Sequence, residues 1–146
     1  MIRSTRTILG ATLLEVMLVL SIIALIILMS VRYYQATSNA SQTQQVLALI
    51  QAITASADNL AMGSATGYSQ NATASNITSL AGASVLVSPW GGTVSISGQT
   101  PTSYAVNIPG APGPVCTNVT NKLKTNTKYT SLACGGKISY TYNSTS

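Results

Sequence analysis

Two hydrophobic patterns occupy the first half of the chain, and both predict helix. In residues 11–29 every side chain is apolar or small except Glu15, and a run of about 19 residues is long enough to cross a bilayer as one helix. Residues 34–62 contain neither glycine nor proline, and Gly63 is a natural helix stop. We therefore predict one continuous helix whose first half, residues 11–33, is apolar and whose second half is amphipathic.

The second half of this helix presents one apolar face. Apolar residues recur at steps of three and four positions, which places them on one side of a helix, and glutamines mark the flanks. Such a face requires a sheet to pack against, whereas the apolar first half requires a membrane or other copies of itself. The face consists of Val46, Ile50, Ile53, Ala57 and Leu60, widened by Leu47, Leu49 and Ala61.

A long connection follows the helix. Residues 63–83 are rich in Gly, Ser, Ala, Thr and Asn, and they predict a loop with one short turn of helix at residues 76–80. Loops lie at the surface and often carry function, so this one is a candidate contact surface.

Strand patterns begin after this loop and predict a small antiparallel sheet. Residues 85–87 form a short apolar run, and residues 93–97 and 103–108 alternate apolar and polar side chains on either side of a turn. The two alternating runs predict a hairpin with Val94 and Ile96 on one face.

The C-terminal region predicts one more helix and two closing strands. Apolar side chains in residues 115–123 are spaced three and four positions apart, and Pro114 stands at the start of this helix. Residues 129–133 and 137–142 supply the strands. The predicted fold class is therefore α+β, with the C-terminal half of a long N-terminal helix packed on a small antiparallel sheet.

Composition argues against catalysis and metal binding. The chain of 146 residues has no histidine and two acidic residues, Glu15 and Asp58. General acid–base catalysis and metal coordination depend on these residue types, so we expect no enzyme activity, no metal and no cofactor. A calcium site in the region after Asp58 is disfavoured for the same reason, because no acidic residue follows Asp58.

Charges on either side of the apolar run predict its orientation in a membrane. Arg3 and Arg6 precede the run and contribute to the net charge of +5, and basic flanks stay in the cytoplasm. Arg32 at the other end weakens this bias, but the residues after it are then exported. Cys116 and Cys134 lie in the exported part, where disulfides persist, and we expect them to pair with each other rather than to remain free thiols.

Two simpler interpretations of the apolar run are a cleaved signal peptide and a plain single-span membrane anchor. A signal peptide has a shorter apolar region of roughly 7–15 residues, followed by small residues at its cleavage site. This run is longer, contains Glu15 and is followed by the bulky residues Val31, Arg32, Tyr33 and Tyr34. A plain single-span anchor explains the run but not the carboxylate, which costs about 2.5 kcal/mol or more near the membrane centre.

The leader and the start of the run resemble the processing site of type IV prepilins. Residues 1–10 form a basic leader that ends in Gly10, and Glu15 is the fifth residue after this glycine. In that family a dedicated peptidase cuts after the glycine and N-methylates the new first residue, which implies cleavage before Ala11 and methylation of Ala11. The resemblance also implies that Thr12 and Glu15 act in assembly, with Glu15 neutralising an N-terminal amine.

Two further features are similar to the same family. A Pro-Trp-Gly-Gly stretch resembles the motif where the sheet begins in type IVb pilins, including those of thin conjugative pili. The pair Cys116 and Cys134 matches the C-terminal disulfide of pilins in position, and the stretch that it encloses is a second candidate contact surface. The resemblance implies a pilin fold with its head at residues 63–146. The four residues of the motif are Pro89, Trp90, Gly91 and Gly92.

The function implied by the resemblance is that of a structural subunit, or major pilin, of a type IV pilus. The precursor would reside in the inner membrane and then polymerise into an extracellular filament for adhesion, aggregation, conjugation or motility. Its partners would be other pilin subunits, the prepilin peptidase, the assembly platform and the motor ATPase. The alternative is a minor pilin or DNA-uptake pseudopilin that acts as a binding module at a filament tip, and a secretion-system pseudopilin is less favoured.

A group of lysines raises the question of nucleic-acid binding. Lys122, Lys124 and Lys128 lie near Tyr129, and basic residues beside an aromatic ring can hold phosphates or stack on a single strand. Three lysines in a polar loop are more often a solvated surface, so nucleic acid is the less favoured partner.

Overall fold

The computed structural model describes residues 12–145, and within this range the protein is α+β. It contains a long N-terminal helix, three shorter α-helices and a four-stranded sheet. The chain divides into two compact units between Thr37 and Ser38. We call residues 12–37 the stem and residues 38–145 the head.

Helix α1, Leu13–Met62, forms the stem and the first part of the head. No glycine or proline interrupts it, and Gly63 follows its last residue. The prediction of one continuous helix that ends at Met62 is therefore confirmed.

The sheet of the head is antiparallel throughout. Its strands are β1 (Ser95–Ser97), β2 (Ser103–Pro109), β3 (Tyr129–Cys134) and β4 (Lys137–Asn143). Their order is β1-β2-β4-β3, which confirms the predicted hairpin and the two closing strands. Strand β1 is shorter than predicted because Thr93 pairs with Val87 in an isolated bridge rather than with β2.

The connection between α1 and the sheet is more helical than the sequence predicts. It contains α2 (Tyr68–Asn71) and α3 (Ala74–Ala81), whereas the sequence predicts a single turn at residues 76–80. Helix α3 begins early because the Thr73 hydroxyl accepts a hydrogen bond from the Asn76 backbone amide at 3.3 Å, which caps the helix.

The prediction of a strand at residues 85–87 is wrong. Gly82, at φ 90°, leads the chain into a 3-10 turn, Ala83–Leu86, and only Val87 forms a bridge. The Leu86 side chain is buried from within this turn, so its hydrophobicity reflects core packing rather than strand formation. Helix α4 (Gly113–Leu123), in contrast, forms as predicted, with Pro114 in its first turn.

The core of the head combines the apolar face of α1 with one face of the sheet. Val46, Ile50, Ile53 and Ala57 are buried, as their spacing predicts, while Leu60 is half-buried at the margin. Burying a Val or Ile side chain contributes roughly 1.5–3 kcal/mol relative to leaving it exposed. The sheet and α4 supply the opposing side chains, among them Tyr104, Val106, Ile108, Ile138, Tyr140, Tyr142, Val115, Val119 and Leu123.

Candidate functional site

The stem exposes a continuous apolar surface. Its large apolar side chains from Leu13 to Val31 are between 46% and 76% exposed. By length and composition α1 is suited to crossing a membrane, with a mean hydropathy of 2.8 over its most apolar window. The one hydroxyl in the middle of this surface, on Ser21, donates to the Met17 carbonyl oxygen at 2.8 Å and so does not require water. The stem therefore requires apolar surroundings, either lipid or other protein.

Thr12 and Glu15 lie together at the start of α1. The Thr12 hydroxyl accepts a hydrogen bond from the Glu15 backbone amide at 3.3 Å, and the Thr12 carbonyl oxygen accepts from the same amide at 2.9 Å. Threonine at the cap and glutamate three positions later form the order of a capping box, and a carboxylate is favoured at this end of the helix dipole. Gly10 and Ala11, the predicted cleavage and methylation residues, lie outside the described residues.

The other end of the apolar surface is marked by Arg32, Tyr33 and Tyr34. All three are exposed, and the tyrosines are 77% and 76% exposed. Arginine and tyrosine are typical of the boundary between hydrocarbon and water. The apolar surface of the stem is therefore bounded by a carboxylate at one end and by a guanidinium with two phenol rings at the other.

Asp58 forms a hydrogen-bonded cluster in the head that the sequence does not reveal. The Tyr68 hydroxyl donates to Asp58 Oδ1 at 2.5 Å, and the Tyr142 hydroxyl donates to Asp58 Oδ2 at 3.2 Å. Burial, followed by the negative charge of Asp58, raises the pKa of Tyr142 to about 12 and that of Tyr68 further. The cluster joins the end of α1 to α2 and β4. Its one sequence signal is that Asp58 is the sole acidic residue of the head.

Beneath this cluster two tyrosine hydroxyls are buried without a partner among the described residues. They belong to Tyr104 and Tyr140, whose side chains are 0% and 1% exposed. Burial raises the pKa of both phenols well above the ordinary value. Their rings belong to a tyrosine cluster, in which Tyr104 lies 5.1 Å from Tyr68 and Tyr140 lies 5.5 Å from Tyr129 between ring centroids. These side chains therefore contribute through apolar packing rather than through polar chemistry.

A disulfide joins Cys116 in α4 to Cys134 at the end of β3, the pairing that the sequence predicts. Cys116 is buried, whereas Cys134 is exposed. Closing a loop with a sequence separation of 18 stabilises the head by about 3 kcal/mol in the loop-entropy model. The bond therefore fixes α4 to the edge strand of the sheet.

The stretch from Pro89 to Gly92 forms a tight turn next to the core. The Trp90 ring nitrogen donates to Gln42 Oε1 in α1 at 3.2 Å, which fixes the half-buried indole against this helix. Gly91 has φ 88°, where other residues are strained, and a Cβ at Gly92 would approach the ring of Pro109 to 2.5 Å. The two glycines are thus required by backbone conformation and close packing, which gives the motif a structural role.

Two lysines of the predicted basic group, Lys122 and Lys128, line different grooves of the head. Lys128 Nζ lies 5.9 Å from the centroid of the Tyr142 ring, in the groove beside Asp58. Lys122 lines a different groove with Asn118 and Asn121 of α4. Separate positions of this kind suit a solvated surface better than a phosphate track.

Comparisons of the chain with protein-family models, with curated proteins and with solved structures each found no match. Within residues 12–145 no group of three or more His, Cys, Asp or Glu side chains could hold a metal ion. A long apolar helix packed on an antiparallel sheet, with a disulfide, is compatible with a pilin fold.

Proposed function

We propose that this protein is the structural subunit of a type IV pilus, held in the inner membrane until its leader is removed and then polymerised into an extracellular filament. The observation that carries the proposal is the stem, an exposed apolar helix with one carboxylate at its start. The disulfide-bonded head supports it, because such bonds persist outside the cytoplasm.

The stem requires two different environments in this function. Before assembly, lipid covers the exposed side chains between Leu13 and Val31, and a helix of this length matches the hydrocarbon core. After assembly, stems of other subunits cover the same side chains. Transfer from lipid to a bundle of stems changes the burial of apolar surface little, so van der Waals packing and polar contacts determine which arrangement forms.

Glu15 provides the polar contact that fixes the register of the subunits. Removal of residues 1–10 would create a free amine on Ala11, close in sequence to Glu15 and to the cap residue Thr12. In the membrane the carboxylate would pair with the amine of its own chain, and in the filament with that of a neighbour. A buried pair adds little net stability, but a misplaced subunit leaves a charge unpaired at a cost of several kcal/mol.

The remaining machinery lies in other proteins. A prepilin peptidase would cleave and methylate the chain, and a platform protein with a motor ATPase would extract it from the membrane. The filament would then serve adhesion, aggregation, conjugation or motility through the surface of the head.

Mass spectrometry of filaments sheared from cells tests the proposal. We expect this chain to be their main component, with an N-methylated Ala11 as its first residue, and we expect Gly10→Ala to prevent cleavage. Trace amounts in the filaments would favour a minor subunit at the tip. An intact leader in purified filaments would contradict the proposal.

A further inference from the structure

The stem carries two charges of opposite sign at fixed positions on one helix. Within residues 12–37 the charged side chains are Glu15 and Arg32, and both are exposed. They lie 17 positions apart on the uninterrupted helix α1, which corresponds to about 25 Å along its axis. This distance is far beyond the reach of the two side chains, so neither can neutralise the other within one stem.

Each end of the stem carries an apolar groove on its surface. Glu15 borders a groove lined by Val16, Val19 and Leu20. The groove at the other end has a volume of about 500 Å³ and is lined by neighbours of Arg32 in sequence, among them Tyr33 and Tyr34, but not by Arg32 itself. Each end of the stem thus combines one charge with an apolar surface, and the two charges are complementary.

The two charges also lie on different faces of the helix. At 3.6 residues per turn, 17 positions leave Glu15 and Arg32 about 100° apart around the axis. A contact between the two patches therefore joins different surfaces of identical chains. Such a heterologous contact excludes a closed twofold dimer, and when it also includes a displacement along the axis it generates an open helical filament.

We propose that Glu15 of one subunit pairs with Arg32 of a second subunit whose parallel stem is displaced by about 25 Å along the helix axis. The proposal rests on the proposed function and adds a second partner for Glu15. A carboxylate has two oxygens and about four lone-pair sites, so it can accept from both a guanidinium and an N-terminal amine. Arg32 is the one stem residue that can supply the guanidinium.

The same displacement brings apolar side chains together on the faces that carry the two charges. A residue four positions further along a helix lies on the same face, so Val19 follows Glu15 and Ala36 follows Arg32. The displacement places Val19 of one stem opposite Ala36 of the other, and both side chains are exposed in the single chain. The charge pair and this apolar contact therefore favour the same register.

The pair is specific for the assembled state. Subunits that reside in the membrane lie at the same depth, so Glu15 of one is level with Glu15 of the next. A displacement of about 25 Å arises only when one subunit has been raised relative to another, as in a filament. Arg32 is therefore free to contact lipid headgroups before assembly and pairs with Glu15 afterwards.

Variants at Arg32 test the charge pair without altering Glu15. We expect Arg32→Gln to lower the yield of sheared filaments by roughly tenfold or more, because the Glu15 carboxylate then loses its second partner in an apolar surrounding. Arg32→Lys keeps the charge and should retain most of the yield. Processed protein in the membrane should stay at the wild-type level in both variants.

Cysteine pairs test the register directly. In filaments of the double variant Val19→Cys, Ala36→Cys, we expect oxidation to link subunits into a ladder on non-reducing gels. The matched control is Val19→Cys, Met29→Cys, since Met29 lies one heptad before Ala36 on nearly the same face but corresponds to a displacement of about 15 Å. The native bond between Cys116 and Cys134 lies within one chain and forms no ladder.

The outcomes separate this proposal from the proposed function. Wild-type filament yield from Arg32→Gln, or a ladder from the control pair instead of the test pair, would overturn the register while filaments still form. Loss of processed protein from the membrane in Arg32→Gln would assign Arg32 to lipid headgroups alone and would also overturn it. A wild-type chain that forms no filaments would refute the proposed function itself.

Discussion

Two tyrosine hydroxyls in the head should respond in opposite directions to the same chemical change. Tyr68→Phe and Tyr140→Phe each remove one hydroxyl oxygen and leave the ring in place. The Tyr68 hydroxyl donates to the Asp58 carboxylate at 2.5 Å, whereas the Tyr140 hydroxyl has no partner among the described residues. The Tyr68 hydroxyl should therefore stabilise the folded head, whereas the Tyr140 hydroxyl should destabilise it.

The magnitudes follow from the hydrogen-bonding state of each oxygen. A hydrogen bond to a charged group contributes about 1.5–3 kcal/mol, so Tyr68→Phe should lower the free energy of unfolding by about 2 kcal/mol, with Tyr142 still bonded to Asp58. A buried hydroxyl without a partner costs about 1–3 kcal/mol in lost hydration. Tyr140→Phe removes this cost and should raise the free energy of unfolding by about 1 kcal/mol.

Urea unfolding of the full chain in a mild non-ionic detergent measures both effects. Trp90 is the single tryptophan and lies in the head, so its fluorescence reports unfolding of the head alone. Equal slopes of the unfolding free energy against urea are needed for the comparison, since a changed slope indicates a changed unfolded state. If Tyr140→Phe destabilised the head as much as Tyr68→Phe does, the assignment of an unpaired hydroxyl at Tyr140 would be refuted.

Three further predictions concern alkali, the disulfide and Glu15. The pKa of Tyr142 is about 12 in the folded head, whereas its ordinary value is 10. The stability that the protonated Tyr142 phenol contributes is therefore complete below pH 10 and is lost as the pH rises through 12. Trp90 fluorescence during an alkaline titration measures the resulting unfolding of the head. Cys134→Ser should lower the free energy of unfolding, measured with urea, by about 3 kcal/mol. Non-reducing peptide maps of the wild-type protein should link Cys116 to Cys134. Two alkylatable thiols in the native protein would contradict this disulfide. Glu15→Leu should abolish filaments while processed protein persists in the membrane, and Glu15→Asp should give a partial defect; normal yield from Glu15→Leu on sheared-filament gels would exclude the carboxylate from assembly.

Elements with a regular hydrophobic period could be predicted from the sequence. Helix α1 combines an uninterrupted apolar run with the recurring face of Val46, Ile50 and Ile53, and both patterns survive in the structure. Strands β2 and β4 alternate buried and half-buried side chains along almost their whole length, so the pattern and the burial agree. Local sequence is sufficient to predict these elements because burial recurs about every 3.6 residues in a helix and every two residues in a strand.

Elements that depend on single side chains could not be predicted in the same way. Helix α3 buries only Ile77 and depends on the cap at Thr73, so it has no apolar period to detect. The cluster at Asp58 joins residues separated by 10 and 84 positions, which no local pattern relates. The apolar run at residues 85–87 led to a wrong strand prediction because Leu86 is buried from within a 3-10 turn rather than from a strand.

The stem and the head differ in whether their own contacts satisfy their side chains. In the head, Asp58 has two phenol donors, both cysteines are bonded and the apolar face of α1 is buried. In the stem, the large apolar side chains remain exposed and the two charges lie too far apart to pair with each other. Burial of the stem by a partner would therefore gain more free energy than burial of the head. This difference explains why substitutions at Glu15 or Arg32 should affect assembly without unfolding the head, and why substitutions at Asp58 or Cys134 should unfold the head first.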